Sequence, residues 1–308
     1  LHVIDEYGAD AVRVTLTSFA AMGRDVKLST DRIGGYRNFC NKLWNASRFT
    51  LMNLEDFDPS QIDLDSLDLS DADRWILTRL EETARQTNQG LEDYKFNEVA
   101  STLYSFTWHN FCDWYIEMAK GDLYGDDPQV KERVQSVLFT VLEQLLRLLH
   151  PLMPFITEEI WHRIAPLAGK TGDSIMLQAY PQPDATKQDS AVTADIEWLK
   201  GVIVAVRNIR GEMNISPAKK IPVLLRGKDA EDQRRMNDNR QFLSSLAKLE
   251  SLDWFEGDKA PMSATQLVGD MEVLVPMAGL IDKDAELKRL DKEVERLQKE
   301  IGRLEGKL

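Results

Sequence analysis

Seven leucine-like residues, Leu287, Leu290, Val294, Leu297, Ile301, Leu304 and Leu308, repeat in a strict three-four rhythm up to the end of the chain. They fall on the a and d positions of a heptad, with Lys288, Arg289, Lys292, Arg296, Lys299 and Arg303 on the flanks. Such a seam is stable only against a second helix, and none follows Leu308. The expectation is a piece of a longer protein, or a chain that pairs with another. Leu1-His2-Val3 is no start signal, and a helical pattern from Ile4 to Leu16 begins at once.

The 308 residues allow two or three domains. With 43% apolar residues a buried core is affordable. The most apolar helix pattern, Val134 to Leu149, is broken by Glu143, Gln144 and Arg147 and reads as protein core, so no membrane partner is expected. Cys40 and Cys112 stand far apart with no CxxC, which argues against a cysteine zinc site or disulfide framework and fits a cytoplasmic protein. The net charge of -13 speaks against nucleic acid at first sight. Eight of the acids, however, lie between Glu55 and Asp73, where there is no base. An acidic linker leaves local basic faces free to hold phosphate.

The pattern predicts a mainly α chain. After the first helix and the loop Met22-Gly23-Arg24-Asp25, a long helix is expected from Asp31 to Leu54. Ser70, with Asp73 three residues on, starts a helix reaching Leu91. Asn97 is expected to cap one that ends near Ala119, Pro128 opens one that ends at His150, and Thr157 is expected to cap a short one closed by Gly169. Short connections make these an antiparallel bundle. Beyond Tyr180-Pro181-Gln182-Pro183 come a helix from Asp195 to Glu212, strand-like runs Ile221–Leu225, Ser251–Phe255 and Met271–Val275, and a helix near Arg234–Lys248. Four regions follow: a connector (1–30), a helical bundle (31–180), a small α/β domain (195–280) and the start of a coiled-coil arm (281–308).

No catalytic constellation is found. His2, His109, His150 and His162 have no metal-ligand spacing, and there is no GxSxG, P-loop or GxGxxG. Gly34-Gly35 near a helix start can meet a phosphate or simply make a turn. Asp113 and Glu117, one helical turn apart, can bind a cation or pair with neighbouring bases. The helix from Asp31 is more informative. Tyr36, Phe39, Cys40, Leu43, Ser47 and Thr50 share its core stripe. The opposite face carries Asn38, Lys42, Asn45 and Phe49, flanked by Asn41 and Arg48. Amides read base edges, cations hold phosphate, and a phenyl ring is a stacking plate for unpaired bases. The alternative is that Phe49 packs under the acidic linker or a neighbouring helix. A second basic cluster, Arg207, Arg210, Lys219 and Lys220, surrounds a helix end. It serves either phosphate or the helix dipole.

Four stretches resemble one family. Asp5-Glu6-Tyr7-Gly8-Ala9-Asp10-Ala11-Val12-Arg13 is similar to the segment after the KMSKS loop of class I aminoacyl-tRNA synthetases. Asn38-Phe39-Cys40-Asn41-Lys42-Leu43-Trp44-Asn45-Ala46-Ser47-Arg48-Phe49 resembles the first helix of their anticodon-binding bundle. Phe111 to Glu117, and His150-Pro151-Leu152-Met153-Pro154-Phe155-Ile156-Thr157-Glu158-Glu159, also match it. Arg207 to Lys220, followed by Gly279-Leu280-Ile281-Asp282-Lys283 and the heptads, resembles the valine branch. The isoleucine branch, the runner-up, more often ends in a cysteine-rich zinc module.

The resemblance implies that the nucleotide-binding fold, the HIGH and KMSKS motifs and the editing domain precede residue 1. The full-length enzyme would then join valine to its tRNA with ATP and magnesium, and this part alone, with no cofactor or metal of its own, would be inactive. Its partners would be valine tRNA, its own catalytic domain and the return helix of the coiled coil. Within the implied helix, Phe49 is the expected stacking plate, and Asn38, Asn41 and Asn45 the base-edge readers. Lys42 and Arg48 are expected phosphate or base contacts, with Arg32 and Arg37 as weaker candidates. Arg207, Arg210, Lys219 and Lys220 are expected on the outer corner of the tRNA. The rival reading is a non-catalytic assembly module that dimerises through its heptads.

Overall fold

A computed structural model describes residues 2–20, 29–59, 62–167, 169, 173–257, 259–278, 294–299 and 301. They form two compact units, Leu1–Ile196 and Glu197–Leu308. The division falls within one helix, α9 (Ser190–Glu212).

The first unit is helical. α1 (His2–Tyr7) and α2 (Ala9–Ser18) precede α3 (Thr30–Met52), and both pack on it. The connector is therefore part of this unit. Asp10 fastens it, because its carboxylate accepts from the backbone N–H groups of Phe155 (3.3 Å) and Ile156 (2.7 Å). Those are free donors at a helix start, where an acid is favoured. Arg13 donates to the carbonyls of Pro151 (2.9 Å) and Leu152 (3.2 Å) just before that helix.

α4 (Asp71–Glu92) begins with the predicted capping box between Ser70 and Asp73. α5 (Phe96–Ser105) is capped at Lys95 rather than Asn97. It runs without a break through a π-helical stretch, Phe106–Tyr115, into α6 (Ile116–Leu123). The π-helix widens the turn at the point where this rod meets both α3 and α4. α7 (Pro128–Leu149) is capped by Asp127, whose carboxylate accepts from Gln129 and Val130.

α8 (Pro154–Ile164) differs from expectation at its start. Pro154 is its first residue, which suits a ring with no N–H. Thr157 lies inside the helix, where its hydroxyl donates to the carbonyl of Met153 (2.7 Å) and meets His150 Nδ1 (2.8 Å). Trp75, Trp161, Tyr115, Phe39, Phe106 and Phe111 are fully buried in this unit and are its largest core side chains. Each large apolar side chain withdrawn from water contributes about 1.5–3 kcal/mol.

The second unit holds a four-stranded sheet in the order β2-β1-β4-β3. β1 (Ile221–Arg226) runs parallel to β2 (Leu249–Trp254), through a crossover made by α10 (Ala230–Asp238) and α11 (Arg240–Leu246). β4 (Met271–Pro276) is antiparallel to β1 and to β3 (Ser263–Val268). Pro222 sits in an inner strand, which its missing N–H would ordinarily forbid. The β1–β2 register shifts there, and the pairing of β1 with β4 starts only at Leu224. Of the heptad arm, 294–299 and 301 are helical, and Val294, Leu297 and Ile301 are 51%, 46% and 55% exposed. The other heptad positions lie outside the described residues.

Candidate nucleic-acid interface

α3 exposes a polar ridge because its apolar residues recur on one stripe only. Ile33, Phe39, Leu43, Ala46, Ser47 and Thr50 are buried, while Tyr36 and Cys40 are half-buried at the margin. Desolvation pushes the Cys40 thiol up to about 12, and that of Cys112 likewise, so neither is a thiolate near neutral pH.

On the outward side, Asn38, Asn41, Asn45 and Arg48 are exposed, as are Arg32 and Arg37. Arg32 lies over the ring of Phe19, its guanidinium 4.7 Å from the centroid. Phe49 is half-buried beneath Lys120, whose ammonium is 5.8 Å from the ring centroid. That is the range in which a cation is attracted to a ring face. The phenyl ring is thus neither sealed in the core nor fully free.

Lys42 is committed more than the sequence suggests. Its ammonium donates to Asp113 Oδ1 at 2.7 Å and lies 5.4 Å from the ring centroid of Trp108. The Asp113 hydrogen bond raises its pKa, so Lys42 stays charged with a carboxylate already against it. His109 lies 3.6 Å from the other oxygen of Asp113, and Glu117 pairs with Lys120 at 2.6 Å. The two acids therefore pair with neighbouring bases. Among the described residues no cluster of His, Cys, Asp or Glu could hold a metal ion, and no helix is long and apolar enough to cross a membrane.

Beside Lys42 lies an aromatic bank. Tyr104 and Trp108 stack with centroids 5.6 Å apart, and Tyr36 meets Tyr104 edge-on at 5.9 Å. Trp108 and Lys120 are part of this surface and escaped the sequence reading, because the spacing within α3 says nothing of a facing helix. Trp44 escaped it too, although it shares the helical flank of Arg37 and Arg48 and is 40% exposed. The wheel alone could have found it.

The second basic cluster divides. Arg207, Lys219 and Lys220 are exposed. Arg210 is not a surface contact, which corrects the expectation. Its buried guanidinium donates to four carbonyls, those of Ser216 (3.1 Å), Lys219 (2.8 Å), Ala247 (3.0 Å) and Lys248 (2.9 Å). A planar fork of fixed donors suits that task. Desolvation lowers its pKa.

Residues 73–225 match the anticodon-binding domain of tRNA ligase. Over 292 residues the chain is 56% identical to "Valine--tRNA ligase" of Syntrophotalea carbinolica, which covers 94% of this chain and 32% of that protein. The chain thus spans about a third of the length of this relative. A solved ternary complex described as Agrobacterium radiobacter K84 agnB2 LeuRS-tRNA-LeuAMS shares 17% identity, with a TM-score of 0.48 over 87% of this chain and 28% of its own. At that level neither fold nor function follows. The identity to the bacterial enzyme and the domain match together place the chain in the valine–tRNA ligase family of class I aminoacyl-tRNA synthetases, within the part that carries the anticodon-binding domain.

Proposed function

We propose that this chain reads the anticodon stem-loop of valine tRNA on the outer ridge of α3, and that the full-length protein joins valine to that tRNA. One observation carries the reading. Asn38, Asn41, Asn45 and Arg48 form an exposed row whose side chains make no hydrogen bond among the described residues, alongside a half-buried phenyl ring. Loop bases held unstacked cost a few kcal/mol, which stacking and edge hydrogen bonds must offset. Binding far from the reacting atoms then fixes where the acceptor end lies. Asp10 and Arg13 make the connector rigid against α8, as such a transfer of position requires. ATP and magnesium would serve the full-length enzyme in the cytoplasm. We assign no described residue a part in that chemistry, and valine-dependent pyrophosphate exchange by the chain alone should be blank.

The test is binding of valine tRNA against an anticodon-swapped transcript at two salt concentrations. Phe49→Ala is expected to weaken binding of the correct tRNA by roughly 1–3 kcal/mol and to narrow the preference. Unchanged affinity and selectivity remove Phe49 from the site. Equal binding of the two transcripts by the unaltered chain removes the anticodon reading itself.

The exposed seam of Val294, Leu297 and Ile301 supports a further role for the arm, which pairs with a return helix or a second chain. Sedimentation with and without residues 283–308 distinguishes them. Self-association lost on truncation favours a second chain, and a monomer in both cases favours a return helix.

A further inference from the structure

On the flank of α3 away from Lys42, a groove of about 380 Å³ runs between α3 and α8. This volume sits near the lower end of the roughly 300–1,000 Å³ typical of small-ligand pockets. Trp44 lines it, together with Met52 of α3 and Ile160 of α8. Two guanidinium groups, Arg48 and Arg163, also line it, as does one carboxylate, Glu55. Arg163 lies 3.6 Å from Glu159 in a loose, exposed pair.

The decisive residue is Ser47, which lines the same groove. Its hydroxyl is buried and has no hydrogen-bond partner among the described residues. A helical Ser or Thr ordinarily returns its hydroxyl to the carbonyl four residues back. Thr15, Thr83, Thr107, Ser136 and Thr140 of this chain all do so. Ser47 does not. A buried hydroxyl left unsatisfied costs about 1–3 kcal/mol, and a ligand that reaches it removes that cost.

We infer that this groove holds one unpaired nucleobase of the bound RNA loop, with its ring against Trp44 and its edge on the Ser47 hydroxyl. The inference rests on the RNA-reading role proposed for α3. Two cations at the rim oppose a purely apolar occupant and suit the phosphates on either side of a base. An exposed indole supplies the stacking face. Glu55 adds a preference, since a carboxylate accepts from an exocyclic amino group and is repelled by a carbonyl at the same position. Bases with an amino group are favoured over uracil.

The test uses the anticodon stem-loop hairpin of valine tRNA and a set of hairpins with one loop nucleotide at a time made abasic. Trp44→Leu is expected to weaken the intact hairpin about ten-fold. The loss should vanish for one abasic hairpin and persist for the others. Ser47→Ala should weaken the same hairpin yet leave the free chain as stable as before, or more so, because it removes an unsatisfied group. Three results overturn the groove: wild-type affinity in Trp44→Leu, a loss spread equally over every abasic position, or a free chain destabilised by Ser47→Ala. If Phe49→Ala weakens the hairpin while Trp44→Leu does not, the groove falls and the ridge reading stands. If the unaltered chain does not bind the hairpin, both fall.

Discussion

Asp73→Ala is expected to cost the helical unit about 3–5 kcal/mol, the range for removing one member of a buried ion pair. The Asp73 carboxylate is almost wholly buried and joins three elements directly. One oxygen accepts from the Tyr115 hydroxyl at 2.7 Å. The other lies 2.8 Å from Arg133 Nε and accepts from the Ser70 backbone at 3.0 Å. Arg133 reaches on to Asp122 at 2.6 Å. The start of α4, the end of the π-helix and α7 therefore meet at one carboxylate, and α6 is tied in through Arg133. Without it Arg133 keeps a half-compensated charge in a largely buried position, and the Tyr115 hydroxyl has no acceptor. Burial holds the Tyr115 phenol well above its usual range, so it remains a donor and cannot take over the charge. Tyr115→Phe removes a single bond and should cost only about 1 kcal/mol. Urea unfolding of the three proteins measures both. A loss below about 1 kcal/mol in Asp73→Ala would show that Arg133 finds water or another acid, and that the knot does not hold the bundle.

That knot illustrates what was legible beforehand. Ser70 and Asp73 were readable as a capping box because both partners lie within one turn of the chain. The second role of Asp73, toward Tyr115 and Arg133, needs contacts 42 and 60 positions away that no local pattern encodes. The same limit explains other differences. Asn97 has the right chemistry for a cap, yet the cap of α5 lies two residues earlier, at Lys95, because tertiary packing settles helix ends that propensity only biases. Thr157 looked like a cap and is an interior residue, since the ring of Pro154 had already fixed the first turn. β3 was missed because Ser263–Val268 is an edge strand whose sequence, Ser-Ala-Thr-Gln-Leu-Val, has no apolar–polar alternation. On α3 the spacing separated core from ridge correctly at Phe39, Leu43, Ser47 and Thr50. It could not foresee that Asp113 would hold Lys42 or that Lys120 would lie over Phe49.

Arg210→Ala and the double change Lys219→Ala/Lys220→Ala are expected to have opposite effects, although all three cations come from one basic stretch. Arg210 donates to the carbonyls of a turn (Ser216 and Lys219) and of the segment entering β2 (Ala247 and Lys248). Its removal takes a donor from all four, and although the Ser216 and Lys248 carbonyls still accept from the backbone N–H groups of Lys219 and Ile221, those of Lys219 and Ala247 lose their partner. Hydrogen bonds from a charged donor contribute about 1.5–3 kcal/mol each and do not add fully, so the expected loss of stability is roughly 3 kcal/mol. Lysine cannot substitute, because a single ammonium lacks the fork that spans both segments. Lys219 and Lys220 are exposed, and their removal should leave stability within about 0.5 kcal/mol. If they face phosphate, the slope of log affinity for valine tRNA against log salt should fall by roughly one for each lysine removed. Arg210→Ala should leave that slope unchanged at temperatures where it remains folded. A reduced slope in Arg210→Ala, with full stability, would mean that the guanidinium leaves its four carbonyls to meet the RNA, and the structural role assigned to it would be wrong.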